Sequence, residues 1–98
     1  MLFYCEFKWH GRTTRQLVAQ RVVEQHEAGR NHPERIQGWY NLAGGGAGFL
    51  LVEYEDPREL TAFLQPYMDL MDFDVHAIYE NDYEALVRDL REVAQRSR

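Results

Sequence analysis

The sequence predicts an α+β sandwich of order β-α-β-β-α-β with one further helix behind it, and three observations predict this. Four segments of the 98 residues read as strands: 2–9 and 72–79 alternate at strand period, and 35–42 and 49–55 are strand-length stretches on either side of a glycine cluster. Three others repeat apolar residues at helical spacing behind capping signals: about 14–28, from Asp56 to Pro66, and from Asn81 or Asp82 to about Gln95. Between the second and third strand patterns stands Gly44-Gly45-Gly46-Ala47-Gly48, the signature of a hairpin that joins neighbouring strands.

The first strand holds Phe3, Tyr4, Cys5, Phe7 and Trp9, and Gly11 breaks it. Thr13, followed three residues later by Gln16, has the form of a capping box. Leu17, Val18, Val22 and Val23 form the stripe of the first helix, His26 extends it and Gly29 stops it. A polar connection containing His32 and Pro33 leads to the second strand. The glycine run is no phosphate loop, because such a loop needs a helix directly behind it and here a strand follows. Asp56-Pro57-Arg58-Glu59 opens the second helix with an acidic cap and a proline at its first position. Leu60, Phe63 and Leu64 form its buried face, and Pro66 limits it. Leu86, Val87, Leu90 and Val93 line one side of the last helix. This order is that of a ferredoxin-like βαββαβ sandwich, a four-stranded antiparallel sheet with two helices on one face, plus a C-terminal helix. The expected division is a domain at 1–80 and a helical extension at 81–98.

Eleven basic against sixteen acidic side chains give a net charge of −5, and apolar residues make up 45% of the chain. Residues 1–49 carry six basic and four acidic groups (+2), residues 50–98 five and twelve (−7). That balance argues against a general nucleic-acid binder, which needs clustered cations to displace phosphate counterions. The longest apolar run, Phe49-Leu50-Leu51-Val52, is too short to span a membrane. No basic segment followed by an apolar stretch marks a secretory leader, so the cytoplasm is the expected location. A single cysteine, Cys5, excludes an internal disulfide and a multi-cysteine zinc site.

Each strand of such a sheet divides into two rows. Phe3, Cys5, Phe7 and Trp9, then Leu50, Val52 and Tyr54, then Phe73, Val75 and Ala77 are expected against the helices. Tyr4, Glu6, Lys8 and His10, with Phe49, Leu51 and Glu53 and with Asp74, His76 and Ile78, are expected on the open face. The second strand is ambiguous: one reading turns Ile36, Gly38 and Tyr40 to the helices and Gln37, Trp39 and Asn41 outward. With strands one and three central, Glu6 is expected beside both Glu53 and His76. An aromatic-rich open face calls for a partner. An RNA platform would stack bases on such rings, but Glu6, Glu53 and Asp74 repel phosphate and Lys8 is the only lysine. A second copy of the chain closing over the sheet is the favoured partner.

Met1-Leu2-Phe3-Tyr4, Ile36-Gln37-Gly38-Trp39-Tyr40, the glycine-bearing turn and Tyr67-Met68-Asp69-Leu70-Met71-Asp72-Phe73-Asp74-Val75 together resemble the DUF3303 family of small bacterial proteins, over about residues 1–80. The resemblance implies membership of the dimeric α+β barrel group, in which two ferredoxin-like subunits join their sheets across a two-fold axis. That group includes cofactor-free quinone-forming monooxygenases, muconolactone isomerases, polyketide cyclases and haem-dependent chlorite dismutases. Fold alone selects none of these chemistries, and the resemblance carries over no catalytic set.

His76 is the leading catalytic candidate, since imidazole titrates near neutrality and a neighbouring Glu6 or Asp74 would orient it as a general base. The plainer role is a histidine satisfying a hydrogen bond in the subunit interface. Glu6 beside Glu53 would raise one carboxylate's pKa; the plainer reading pairs these acids with Lys8. Tyr4, Trp39, Glu53 and Tyr54 are the ligand-binding candidates, with Trp39, Tyr40 and Tyr54 as walls for a planar ligand between sheet and helices. Glu6, Glu53 and His76 match no metal-ligand spacing, and nothing singles out a haem ligand among His10, His26, His32 and His76, so neither metal nor cofactor is expected. Lys8 at a strand end is solvated rather than a Schiff-base nucleophile. Cys5 is expected buried and inert, and His26 and His32 structural or solvated. The expected function is a homodimeric small-molecule-binding protein with cofactor-free acid/base catalysis, monooxygenase-, isomerase- or cyclase-like, on a small organic substrate. The alternative is a non-catalytic dimerisation or interaction module, and a cavity beside His76, Trp39 or Tyr54 separates the two.

Overall fold

A computed structural model describes residues 1–96 of the chain. It has the ferredoxin-like order expected: β1 (Leu2–Trp9), α1 (Arg15–Glu27), β2 (Ile36–Asn41), β3 (Ala47–Glu53), α2 (Pro57–Leu64), β4 (Met71–Ile78) and α3 (Tyr83–Arg96). Single 3-10 turns at Pro33–Arg35 and Gln65–Tyr67, which no periodicity announces, precede β2 and follow α2. The strands form one antiparallel sheet in the order β2-β3-β1-β4. No helix among the described residues is long and apolar enough to cross a membrane.

Local chemistry sets the boundaries. Thr14, not Thr13, caps α1: its backbone is extended and its hydroxyl accepts from Leu17 N at 3.2 Å. The Thr13 hydroxyl instead donates to the Leu70 carbonyl at 2.6 Å, tying the helix start to the approach of β4. Asp56 caps α2, accepting from Arg58 N at 2.9 Å, and Asp82 caps α3, accepting from Ala85 N at 3.3 Å. Gly44, Gly45 and Gly46 all have positive φ, a region closed to most side chains. Leu42 N donates to Ala47 O at 2.8 Å across that turn. The ladder therefore reaches back to Ala47, two residues ahead of the start its apolar pattern suggests.

The core lies between the sheet and α2. Phe3, Cys5, Val52 and Tyr54 meet Leu60, Phe63 and Leu64, while Phe7, Leu70 and Met71 form a second cluster towards the α2–β4 connection. The contribution of α1 is narrower than its periodicity implies. Val18 is half-buried against the second cluster, but Leu17, Val23 and His26 are exposed. A polar clamp fixes this helix: Arg21 donates to both Asp69 carboxylate oxygens, at 2.6 and 2.9 Å, and to the Pro66 carbonyl. The same guanidinium holds the Asp69 carboxyl below its usual range.

α3 buries no side chain, and Leu86 and Leu90 of its apolar stripe stay exposed. The radius of gyration is 17.8 Å, where a compact chain of this length would have about 13 Å. The long axis of 58 Å follows from a helix that stands off the body.

Cys5 has no accessible surface, and burial pushes its thiol up to about 11. Because the thiolate is the reactive form, the native protein is expected to resist a disulfide reagent at pH 8 and to react only after denaturation. Labelling within minutes in native buffer would mean that the inner row of β1 is open.

Candidate functional site

A bulge between Ile36 and Gly38 decides what the open face of the sheet displays. An extra residue in one strand turns every later side chain to the other side. Ile36 lies opposite Val52, but Gly38 lies opposite Leu51, Trp39 opposite Leu50 and Tyr40 opposite Phe49. Tyr40 therefore emerges on the open face and Trp39 on the helix side, the reverse of strict alternation from Ile36.

The result is a ladder of rings, one from each strand in sheet order. Tyr40 stacks on Phe49 at 5.0 Å and 28°, and Phe49 on Tyr4 at 5.1 Å and 30°. Tyr4 meets the His76 ring at 6.4 Å and 39°. Leu51 and Ile78 lie half-buried on the same face. His76 Nε2 sits 3.2 Å from Asp74 Oδ2, so Asp74 rather than Glu6 orients the imidazole.

The candidate residues thus separate. Tyr4 and His76 come together, being directly opposite in the β1–β4 register. Glu6 does not join them: its partners are Phe49 and Asp74, which sets two carboxylates opposite each other. Glu53 lies opposite Leu2, about 13 Å along the strand from Glu6, and accepts from the Met1 ammonium at 2.6 Å. The Glu6–Glu53 pair expected from the strand order is therefore absent, because that order fixes neighbours but not register. Trp39 is more than half exposed on the edge strand, and Tyr54 is buried among the helix-side residues.

The concave site lies behind the sheet. The connection from α1 to β2 folds against α2 and the end of β3 around a cavity of about 550 Å³, within the range of roughly 300–1,000 Å³ that small-molecule sites occupy. Its floor is aromatic: Tyr54 and Phe63 meet at 5.7 Å and 48°. Tyr54 is 4% exposed, and its hydroxyl is out of reach of water and without a hydrogen-bond partner. The Arg35 guanidinium lies 5.2 Å from the centre of the Tyr54 ring, a cation–π contact. Burial pushes the Tyr54 phenol above its ordinary value, against the opposing pull of Arg35.

Arg30, His32 and Glu34 from the connection, with Glu59 from α2, complete the polar rim. His32 has φ 45°, the one positive value at a non-glycine among the described residues, a left-handed conformation that costs about 1 kcal/mol. Its Nδ1 lies 3.3 Å from Glu34 Oε1. Among the described residues neither Arg30 nor Arg35 forms an ion pair, and no three His, Cys, Asp or Glu side chains converge as a metal set. Periodicity gives no sign of this rim. The available signal is the run Arg30-Asn31-His32-Pro33-Glu34-Arg35 itself, a charged loop held between rigid elements, where binding groups concentrate. An aromatic floor under a charged rim suits a flat organic molecule bearing a polar group.

Among the solved structures that match, two share this architecture as follows. Muconolactone isomerase matches with a TM-score of 0.61 over 83% of this chain and 91% of its own, at 20% identity. The 5-chloro-2-hydroxyhydroquinone dehydrochlorinase TftG from Burkholderia phenoliruptrix AC1100, in complex with 2,5-dihydroxybenzoquinone, matches with a TM-score of 0.56 over 83% and 96%, at 21% identity. At such identities the likeness is one of fold. No curated protein matches the chain. The family described as Domain of unknown function (DUF3303) matches residues 1–95, a span that includes nearly all of α3.

Proposed function

The chain belongs to the DUF3303 family, and from that premise we propose that it is a homodimeric protein that binds a small organic molecule in the cavity over Tyr54. The carrying observation is a cavity of ligand size floored by the rings of Tyr54 and Phe63, with the Tyr54 hydroxyl buried and unpartnered. A buried hydroxyl without a partner costs about 1–3 kcal/mol. Tyrosine serving as core filler alone would pair its hydroxyl or leave it in water. The dehydrochlorinase relative holds 2,5-dihydroxybenzoquinone, a flat oxygenated ring of a size this cavity accommodates.

The ring ladder supplies the second half of the proposal. Tyr40, Phe49, Tyr4 and Leu51 form an apolar band that a second copy covers across a two-fold axis. Glu6, Asp74 and Glu53 on the same face disfavour nucleic acid as the occupant. His76 and Glu6 lie across the sheet from the cavity, out of reach of a ligand there, so in this proposal they serve the interface.

Adding 2,5-dihydroxybenzoquinone or catechol to isotope-labelled protein tests the site by nuclear magnetic resonance. Shifts are expected at Tyr54, Ala62, Phe63 and the 30–35 connection. Shifts confined to Tyr4, Phe49 and His76 would overturn the assignment to the cavity.

A further inference from the structure

Resting on that reading, we propose that the ligand is a ring-bearing organic monocarboxylate, gripped at its anionic end by Arg30 and Arg35. The chain uses its other clamped arginines internally: Arg21 is held by Asp69 and Arg58 by Asp56. Arg30 and Arg35 instead line one cavity with no carboxylate in ion-pair reach among the described residues. Arg35 is half-buried and stacked on the Tyr54 ring. That contact fixes the plane of its fork in advance, and a planar guanidinium matches a carboxylate with two parallel hydrogen bonds.

The rim carboxylates decide how much negative charge the site accepts. Glu34 stands 3.3 Å from His32 and forms no ion pair with either arginine among the described residues. Glu59 lines the cavity from α2 with no ion pair among the described residues, and repels a second anionic group. With two carboxylates beside two guanidinium groups on one rim, one negative charge is favoured over the two of a phosphate monoester. The floor of Tyr54 and Phe63 takes the ring. One ligand group thus answers both unpaired cations.

Benzoate, benzamide and phenyl phosphate, titrated into the labelled full chain, share a ring and differ in charge. Benzoate is expected to saturate shifts at Tyr54 and Phe63 with a Kd at least tenfold below those of the other two. Arg35→Gln and Arg30→Gln are each expected to weaken benzoate at least tenfold, to about the level at which the parent chain binds benzamide. Benzamide binding the cavity as tightly as benzoate would overturn this inference while the cavity reading stands. Phenyl phosphate binding more tightly than benzoate would overturn the monocarboxylate assignment. Shifts at the cavity from none of the three would overturn the cavity reading as well.

Discussion

Gly48→Ala is expected to destabilise the protein by about 3 kcal/mol, the upper part of the usual cost of overpacking. Gly48 is buried in β3 opposite Asn41 and Phe7. A Cβ there would overlap the Tyr40 carbonyl oxygen, stand 2.7 Å from the Phe7 ring and 2.9 Å from Asn41 Cα. Two of these three obstacles are backbone, so no side-chain rotation relieves them. β2 must move off β3 or the hairpin must open. Against a total stability of about 5–15 kcal/mol for a domain of this size, the loss lowers Tm by more than about ten degrees. Gly11→Ala is the control, since nothing lies within 4 Å of its added carbon and its φ is not positive. Chemical denaturation of the two variants measures the difference. A Gly48→Ala protein within about 1 kcal/mol of the parent would contradict the β2–β3 register, and with it the presence of Tyr40 on the ring ladder.

That register marks where the sequence stops being legible. Phe3, Cys5 and Phe7 alternate inward and Tyr4 and Glu6 outward because β1 is flanked on both sides and carries no bulge. β2 is an edge strand whose extra residue reverses Trp39 and Tyr40, and no alternation pattern contains a bulge. The faces of Tyr4 and His76 follow from period two alone. Setting Asp74, and not His76, opposite Glu6 depends on pairing between strands more than sixty residues apart in sequence, which no short window holds. In α1 the stripe of Leu17 and Val23 overstates burial because the helix is held by the Arg21–Asp69 clamp and by Val18, not by its whole apolar stripe. The cavity was hidden for a similar reason. Arg30 to Arg35 carry no period, and their convergence on Tyr54 is made by the bend of the chain and the strained His32.

Leu51→Asp is expected to convert the proposed dimer to monomers at micromolar concentration. Leu51 stands on the open face opposite Tyr4 and Gly38, beside the rings of Phe49 and Tyr40. In a lone subunit it is only half-buried, so a carboxylate at its place still finds water and the fold survives, which circular dichroism checks. In the dimer the same carboxylate is enclosed without a cation, at a cost of about 3–5 kcal/mol. Glu53, two positions along the same strand row, adds like-charge repulsion. Each two-fold dimer carries the change twice, so the sum of at least about 6 kcal/mol corresponds to a rise in Kd of roughly four orders of magnitude or more, visible by sedimentation or by light scattering across a concentration series. Arg58→Ala on α2, on the other side of the sheet and exposed, is expected to leave the mass unchanged. A Leu51→Asp protein that keeps the parent's dimeric mass would place the subunit contact elsewhere and leave the ring ladder free for a different partner. A monomeric parent chain at the same concentration would remove the dimer from the proposal while leaving the cavity over Tyr54 in place, because that cavity is built from one subunit's residues alone.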